Sequence, residues 1–536
     1  MKKWKCHVLL AVSCSLLFLK SSQVLGSDLP LDHWAYDYLD RLKVKGLLDG
    51  FLNQTRPISR EEVARAIWRI TEAAKAGDAR ITAVEQSQLE WLHMEFAEEL
   101  KGHSLSTRSQ ERHLFRWSED QRGLILDGVG MSQGILGREH GSNRRILDLR
   151  ANILARGFLG KELSYAASVV KGQVNSNLDE VTGEDVGLTG YFDSRGSYAY
   201  YDWSHAHLNL KLPWLELQLG RQPISWGPGD RGNLALSSNP PAYDFLQIRA
   251  TVLQVKYVYL HGFLLSEVMT ERETPEGFIR REYPNKFLAA HRIELEPFPW
   301  INLGLQEAVI YGERGLDLAY SNPLVWLWSA QHSSHDRDNV ILGGDIRVRP
   351  FKGLTSYVAL FIDELSMEDM FAQDARNKVA FQWGLYIVDP LGLEDTDFRM
   401  EYARVQPCVY SHKFPVNDYR HDGVCLGHWL EENGDDLYLA IRHRVSRYLS
   451  IASHLARTRQ GERGEQPWCH LDPGRYSFLW GIVDQTVLMG LSLDVQPIHG
   501  LRISWSYERK ERENEDHLAG ENATLDQLSL FLSFDY

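Results

Sequence analysis

The C-terminal segment of the chain alternates between apolar and polar residues almost without interruption. Its apolar positions fall on one side of an extended chain, and they are Leu528, Leu530, Leu532, Phe534 and Tyr536. Phe531 is the one apolar residue on the other side. Because successive side chains of a strand point to opposite faces, the pattern predicts a β-strand with one apolar and one polar face. The segment is as long as a bilayer-spanning strand and ends on an aromatic residue, which favours a transmembrane β-barrel.

A period of two continues through the chain from about residue 122 to the end. The clearest alternating segments are 206–212, 215–219, 345–349, 398–402, 487–495 and 501–507. Short connections, often with Pro or Gly, lie near 157–161, 212–214, 259–262, 297–300, 350–353, 390–395, 444–447 and 496–500. Long polar loops lie near 173–198, 223–244, 269–285, 312–337, 364–377, 407–435, 460–481 and 511–524. Short turns at one end and long loops at the other are typical of an outer-membrane barrel.

These segments predict an all-β fold, an antiparallel transmembrane β-barrel of about 18 strands over residues 122–536. The first strand is expected near residues 122–133, where the C-terminal strand would close the barrel. A soluble β-sandwich would also show alternation, because its strands are buried on one face. It would not explain the asymmetry between short and long connections, and we therefore favour the barrel.

The chain from residue 27 to residue 101 has a helical pattern instead. Ser59 is followed three residues later by Glu62, the arrangement of a capping box at the start of a helix. Apolar residues at helical spacing precede Ser59 and recur between Ile81 and Leu100. We predict a small α-helical domain over residues 27–101, joined to the barrel by a polar linker over residues 102–121.

The first 26 residues have the features of a secretory signal peptide. A basic segment precedes an apolar run that ends at Leu19, and a cleavage site follows at Gly26. Lipid attachment at Cys14 is disfavoured because the apolar run continues past it. After Gly26 no apolar stretch approaches 18 residues, so only a closed barrel could carry this chain across a membrane.

Composition narrows the classes of partner. The net charge of −14 argues against nucleic acid, which calls for a basic surface. The 16 Trp and 23 Tyr residues suit aromatic girdles at a membrane interface, and they equally suit sugar-binding loops. Three cysteines follow the predicted signal peptide. They permit either a Cys408–Cys425 disulfide with Cys469 left over or three free thiols.

Several separated motifs resemble those of the Wzi-type capsule assembly proteins. The longest is residues 220–229, with the sequence GRQPISWGPG, and residues 236–239 follow it. The others, in chain order, are 291–296, 303–307, 311–314, 320–323, 338–339, 345–346, 410–412, 421–423 and 426–428. The resemblance covers roughly residues 120–536 in order.

This resemblance implies an 18-stranded outer-membrane barrel that binds capsular polysaccharide and helps to hold the capsule at the cell surface. It implies a lectin-like protein and not an enzyme, with no cofactor and no catalytic residues. The expected partners are capsular or other surface polysaccharide and outer-membrane lipid. The expected location is the outer membrane, with the helical domain in the periplasm.

The N-terminal domain resembles a different module, a single S-layer homology repeat. The residues that carry this resemblance are 30–36, 46–50 and 56–62. It implies contact with peptidoglycan or another wall polymer, and Trp34 and Arg60 are the residues selected for that contact. The loop between Gly50 and Arg56 is shorter than is usual in that family, and a plug in the periplasmic mouth of the barrel is the alternative. For Arg60 the alternative is a solvent-exposed charge on the first helical turn.

Polysaccharide-binding residues are selected from the predicted loops, and they are Arg221, Trp226, Asn239, Tyr243, His332, Asp336 and His421. Trp226 would stack on sugar, because tryptophan presents a flat apolar face beside a polar N–H. Its alternative is a place in a loop folded into the lumen, where glycines allow tight turns. Arg221 is alternatively part of a lumen ion-pair network with Glu294, Glu307 and Arg314.

Metal and catalytic chemistry have no specific motif in this chain. His332, His335, Asp336 and Asp338 crowd one loop, but their spacing matches no specific metal site, so no metal is predicted. The chain has no Walker loop, zinc-protease motif, serine-hydrolase elbow or dinucleotide fingerprint. Two alternatives remain beside the lectin. One is a channel tethered to the wall by its helical domain, and the other is an exported glycan hydrolase or lyase built on a carboxylate pair.

Overall fold

The computed structural model describes residues 27–77, 80–101, 113–139, 141–273, 278–333, 335, 337–364, 377–465, 469 and 472–535. The predicted signal peptide, most of the predicted linker and Tyr536 lie outside the described residues. None of the described helices is long and apolar enough to cross a bilayer.

Eighteen long antiparallel strands form one closed barrel, as the alternating pattern predicts. Each strand pairs with its neighbours in the chain, and the last strand pairs with the first. In chain order the strands are β1 (Arg122–Glu139), β2 (Ser142–Leu159), β3 (Leu163–Ser176), β4 (Tyr198–Lys211), β5 (Leu215–Gln222), β6 (Tyr243–Val252), β7 (Val255–Leu264), β8 (Lys286–Phe298), β9 (Ile301–Gly312), β10 (Asn339–Phe351), β11 (Leu354–Glu364), β12 (Lys378–Val388), β13 (Thr396–Val405), β14 (Gly434–Ser446), β15 (Leu449–Gln460), β16 (Asp484–Ile498), β17 (Leu501–Glu513) and β18 (Asn522–Asp535). A short strand, Phe115–Glu119, pairs with the start of β1, so the β-structure begins within the predicted linker.

The C-terminal strand closes the barrel as predicted. β18 runs antiparallel to β1, from Leu525 opposite Glu139 to Asp535 opposite Val129. Its outer face carries the half-buried Leu528 and the exposed Leu530, Leu532 and Phe534. Outward apolar side chains are what the hydrocarbon of a bilayer requires of a barrel wall.

The connections follow the predicted asymmetry, with two corrections. Turns of a few residues lie at the end of the barrel where β1 begins and β18 finishes, and long loops lie at the opposite end. The turn predicted near 259–262 is wrong, because the chain turns at 253–254, between β6 and β7. Gly262 is a strand residue, and a Cβ there would come within 3.2 Å of the Tyr243 ring. A tight hairpin joins β1 to β2 at the long-loop end, where the sequence predicts no connection.

Glycines inside the strands make room for aromatic side chains of the neighbouring strand. Tyr201 on β4 lies against Gly172 on β3, and a Cβ at that glycine would fall 2.0 Å from the tyrosine ring. Tyr357 on β11 lies in the same way against Gly384 on β12. Because these rings lie along the wall, the lumen keeps room for other segments of the chain.

The helical domain has a small core of its own. Its helices are α1 (Ala35–Val44), α2 (Arg60–Ala76), α3 (Ala83–Glu95) and α4 (Ala97–Leu100). Ser59 caps α2 as predicted, and its hydroxyl accepts the backbone N–H of Glu62 at 3.2 Å. The reciprocal capping box lies at the start of α3 instead, between Thr82 and Glu85. Apolar side chains from all four helices meet in one buried cluster.

The helical domain lies in the short-turn end of the barrel, where charged pairs hold it. These pairs are Asp28–Arg249, Asp37–Arg442, Arg41–Asp397, Lys43–Glu296, Asp49–Arg349, Glu62–Lys256 and Glu99–Arg156. A two-residue strand of the domain, Thr55–Arg56, also pairs with Ser225–Trp226 of a loop that enters from the opposite end. The domain therefore contacts both the barrel wall and a loop inside the lumen.

Strong acid should release the helical domain from the barrel. Burial alone would raise the pKa of Asp28 and Asp37, but Arg249 beside the first and Arg442 beside the second hold both pKa values below the ordinary 3.8. A carboxylate with a lowered pKa stabilises docking above its ordinary pKa, and this contribution is lost as pH falls through the lowered value. We expect the domain to stay docked at pH 7 and pH 5 and to loosen below about pH 4. Conductance in planar bilayers at pH 7, 5 and 3 measures the release, and a rise already at pH 5 would contradict the expectation.

Candidate functional site

Two of the long loops fold back into the lumen and fill the barrel on one side. Residues 223–242 and 406–433 pack against inward side chains of β6 to β13 in one apolar core, which we call the loop core. Trp226 lies in this core with 2% of its surface exposed, and the backbone N–H of Gly227 donates to the Gln54 carbonyl at 2.9 Å. The lumen-loop interpretation of Trp226 fits this position. Sugar stacking by Trp226 stays a prediction, and it would require the loop core to open.

Tyr243 and His421 lie together in the loop core. Their rings are 5.5 Å apart and meet edge to face. Nδ1 of His421 accepts the backbone N–H of Leu265 at 3.0 Å, and burial lowers the pKa of His421 to about 4. A neutral imidazole therefore ties residues 406–433 to the loop after β7. Both side chains are buried, so in this arrangement they hold loops together and offer little surface to a ligand.

A disulfide joins two long loops, but it is not the predicted one. Cys408 is bonded to Cys469, which links the loop after β13 to the loop after β15. Cys425 is free and buried, and burial raises the pKa of its thiol to about 12. Both sequence interpretations, a Cys408–Cys425 bond and three free thiols, are wrong. Three cysteines permit three pairings, and their spacing along the chain does not show which loops meet in space.

Asn239 joins three loops at the outer surface. Its side-chain amide donates to the Gly427 carbonyl at 2.6 Å, and its backbone carbonyl accepts the Thr189 hydroxyl at 3.0 Å. The loop after β3 is thereby held against the loop core. The same loop carries Tyr191, which has 69% of its surface exposed. Tyr191 therefore presents an open aromatic face in a loop that is tied to the loop core at Thr189, and such a face is suited to contact with a sugar.

Arg221 faces outward and not into the lumen. It pairs with Asp244 at 3.2 Å, and both side chains are partly exposed near the long-loop end of β5 and β6. Glu307 and Arg314 also lie outside the barrel, and of the predicted lumen network only Glu294 faces inward, where it accepts hydrogen bonds from the helical domain. The predicted network is therefore wrong. A shift of one residue in register exchanges the two faces of a strand, and isolated charges in a sequence do not reveal that register.

His332 also lies outside the lumen. It is exposed on a short helix, α5 (Leu327–Ser333), that follows β9. Asp338, from the same segment, is buried and pairs with Arg314 at 2.8 Å. Asp336 lies outside the described residues. Over the part of this segment that is described, no group of side chains converges as metal ligands would.

Arg60, selected as a wall-polymer contact, is buried. Its guanidinium donates to Glu99 at 2.7 Å and to Glu95 at 2.9 Å, and it covers the Phe96 ring at 4.4 Å. The alternative of a solvent-exposed charge is wrong, because the side chain is engaged inside the domain, and wall contact by Arg60 stays a prediction. Trp34 is half-buried just before α1. Wall-polymer binding by the helical domain stays a prediction.

A cavity of about 680 Å³ lies between the helical domain and the side of the barrel that the loop core leaves unfilled. We call it the basal cavity. Its lining includes Trp34, Tyr357, Tyr386, Arg399, Glu401, Arg442 and Arg502. Its charges are largely paired, since Asp37 lies between Arg399 and Arg442. Such a lining suits water or uncharged hydroxyl groups better than a strongly charged guest.

Sequence reasoning missed the basal cavity and the exposed Tyr191. No motif marks the cavity, because its lining comes from segments far apart in the chain. The one signal in the sequence that indicates the cavity is that Arg399 on β13 and Arg442 on β14 occupy positions whose side chains point into the lumen. Tyr191 lies in a loop without a motif, and its exposure depends on where the neighbouring loops fold.

Comparison with known proteins identifies the family. The model of the capsule assembly protein Wzi family matches residues 127–525. Among solved structures, the outer-membrane protein Wzi of Escherichia coli, described as a carbohydrate-binding β-barrel involved in group 1 capsule assembly, superposes with a TM-score of 0.56. The two chains are 13% identical, and the match covers 94% of this chain and 99% of that one, so this likeness establishes the shared fold.

Other solved barrels are more distant. OccK7 (OpdD) of Pseudomonas aeruginosa has a TM-score of 0.43 at 9% identity, covering 77% of this chain and 98% of its own. OpdK of the same organism, solved with vanillate, has a TM-score of 0.44 at 9% identity, with the same coverage. No curated protein matches the chain. With the family match over most of its length, the chain belongs to the Wzi capsule assembly protein family and is an outer-membrane β-barrel.

Proposed function

We propose that this protein binds surface polysaccharide through its long-loop end and so helps to assemble or anchor a capsule, without catalysing a reaction. The observation that carries the proposal is that the loop core enters the lumen from one end and the helical domain from the other, and that the two meet at Thr55–Arg56. A barrel filled in this way serves as a platform for its loops. The carbohydrate binding described for the Escherichia coli protein supports the same function.

Contact with sugar is assigned to exposed aromatic side chains of three loops, namely Tyr191, Tyr283 and Phe414. Tyrosine and phenylalanine offer a flat apolar face to the C–H groups of a sugar ring, and tyrosine adds a hydroxyl. Tyr191 is the best placed of the three, because Asn239 and Thr189 tie its loop to the loop core at 3.0 Å. A loop that is already ordered loses less conformational freedom on binding.

Replacing Tyr191, Tyr283 and Phe414 together by Ala should lower the affinity for purified capsular polysaccharide at least about tenfold, because each lost aromatic contact removes roughly 0.5–1.5 kcal/mol. Binding to the polysaccharide immobilised on a sensor surface measures the change. Trp214→Ala is the matched control, since Trp214 is an exposed aromatic residue at the short-turn end. Equal affinity of the triple variant and the control would remove these rings from the site, and release of reducing ends from the polysaccharide would overturn the non-catalytic assignment.

A narrow channel is the second candidate function, and the basal cavity favours it. The cavity passes beside the helical domain as far as the turns around residues 446–450 and 496–500. If it continued through the barrel, small solutes could pass beside the domain. Single-channel recording separates the two functions: a stable conductance of the native protein at pH 7 favours the channel, and a closed lumen favours the binding platform.

A further inference from the structure

The outer wall of the barrel carries polar side chains where contact with lipid would be expected. His261 on β7, His291 on β8 and Glu307 on β9 belong to the outward face of their strands. The inward face is marked by residues such as Arg292, which donates to Thr55 of the helical domain at 3.0 Å. The three outward side chains are nevertheless buried. Polar groups that face hydrocarbon without partners are costly, so their burial needs a cover.

The cover is residues 313–333, which we call the outer flap. The flap leaves the end of β9, lies against the outer surface of the barrel and ends with α5. Its backbone bonds to two polar groups of the wall: the N–H of Leu327 donates to the Glu307 carboxylate at 3.0 Å, and the Tyr320 carbonyl accepts the Tyr259 hydroxyl at 2.8 Å. The same Glu307 carboxylate lies 3.0 Å from Nδ1 of His291. The wall and the flap therefore complete one hydrogen-bonded cluster outside the barrel.

The flap is also fixed at its two ends. Arg314 at its start donates to both carboxylate oxygens of Asp338, each at 2.8 Å. Asp338 in turn accepts the Tyr320 hydroxyl at 2.8 Å, and its backbone carbonyl accepts the Gln331 amide at 2.6 Å. These bonds join the start of the connection between β9 and β10 to its last residue, so the two ends of the flap are held together.

The flap reaches the level of the lipid-facing wall. The Tyr257 hydroxyl donates to the Pro323 carbonyl, and Tyr257 is in register with Ile293 and Leu305 on the next two strands. Leu305 lies near the middle of β9 and has 60% of its surface exposed on the outer face. Pro323 therefore lies beside residues that contact lipid, and not above the membrane with the other loops.

The outward side of the flap carries several large apolar residues. Leu318 and Leu324 each have 86% of their surface exposed, and Leu316, Trp326 and Trp328 are exposed with them. We propose that the outer flap is a lipid-facing panel of the barrel wall. Its inner side bonds to Tyr257 and Tyr259 of β7 and to Glu307 of β9, and its outer side contacts the acyl chains of the outer membrane. The occupant is lipid, because the flap continues the apolar surface that Leu305 and Ile293 already present to the bilayer.

Site-directed spin labelling tests the panel in the full-length protein. A nitroxide is attached to cysteine in Leu324→Cys, in Leu305→Cys as the lipid-facing control and in Leu391→Cys as the aqueous control, since Leu391 is exposed in a short turn. Cys425 is buried and its thiol pKa is raised to about 12, so it does not react in the folded protein. Each variant is reconstituted into vesicles of phosphatidylethanolamine and phosphatidylglycerol, and collision rates with oxygen and with a water-soluble nickel chelate are measured.

Oxygen dissolves in the acyl region and the nickel chelate does not, so the oxygen-to-nickel ratio at Leu324 should match that at Leu305 and exceed that at Leu391 at least about tenfold. A ratio at Leu324 like that at Leu391 would place the flap in water and overturn the proposal. Dipolar broadening between labels at Leu324 of two protein copies would show that a second copy covers the panel, and it would also overturn the assignment to lipid. Exposed positions are chosen for all three cysteines so that the fold is kept.

Discussion

Replacing Arg41 by Ala is expected to destabilise the docking of the helical domain by about 3 kcal/mol. The guanidinium is fully buried and donates hydrogen bonds to three carboxylates. These are Glu85 at 3.0 Å, Asp389 at 2.6 Å and Asp397 on β13. Removing one partner of a buried ion pair commonly costs about 3–5 kcal/mol, because the remaining charge stays buried without compensation.

The lower end of that range applies because each carboxylate keeps a second cation. Lys45 remains 2.7 Å from Glu85 and 3.3 Å from Asp389. Arg444 remains 2.6 Å from Asp397. A loss of about 3 kcal/mol still raises the undocked population more than about 100-fold. The rise is measured as the frequency of open events in planar bilayers and as the rate of protease cleavage within residues 27–101.

Arg80 provides the matched control for Arg41. Its side chain is 92% exposed and lies 3.2 Å from Glu394. Because water screens such a surface pair, Arg80→Ala should change docking by less than about 1 kcal/mol. If Arg41→Ala and Arg80→Ala behaved alike, the buried pairs of Arg41 would not be what holds the domain, and the backbone contact at Thr55–Arg56 would become the main candidate.

The barrel wall is the part of this fold that its sequence predicts best, and the membrane is the reason. Lipid outside and polar groups inside impose alternation on every strand, so the outward Leu530 and Phe534 and the inward Ser529 and Ser533 can be assigned without a structure. The asymmetry of the connections follows from the same topology. The turn placed at Gly262 shows the limit of the pattern, because that glycine serves a neighbouring ring and not a change of direction.

The sequence does not show whether a long loop folds into the lumen or onto the outer wall. Residues 223–242 and 313–333 both read as polar loops, yet the first packs inside the lumen and the second packs on the outer wall. The two loops pack against strand residues that point to opposite faces of the wall. Leu260, for example, points into the lumen, and Tyr259 points outward. Neighbours in the sequence can thus draw different loops to different faces, and only the strand register shows which face each one occupies.

The alternation of apolar and polar residues also does not show which charged side chains are buried. Arg60 reads as a surface residue on a first helical turn, but Glu95 and Glu99 close over it from two other helices. The same applies to the candidate site: Trp226 and His421 belong to recognisable motifs and prove to be buried, whereas Tyr191 belongs to none and is exposed. A motif marks residues that the fold requires, and surface contact with a ligand need not coincide with it.

Replacing Leu532 by Arg is expected to destabilise the barrel by roughly 2–4 kcal/mol. Leu532 is exposed on the outer face of β18, opposite Ser132 of β1 at the closing seam. At about 3.3 Å per residue and a tilt near 40°, it lies roughly 10 Å from the terminal residue along the membrane normal, close to the middle of an apolar band about 25 Å tall. An arginine there must hold its charge in hydrocarbon or deform the bilayer around it.

An arginine at the neighbouring Ser533 is the control that distinguishes an effect of lipid contact from a general effect of arginine on the strand. Ser533 points inward and lines the basal cavity, so Ser533→Arg keeps its charge beside water and polar groups. Urea unfolding in lipid vesicles, together with the heat-resistant migration of the folded barrel on gels, should show a loss for Leu532→Arg at least about twice that for Ser533→Arg. Normal assembly and unchanged unfolding of Leu532→Arg would mean that this face of the closing strand does not contact lipid.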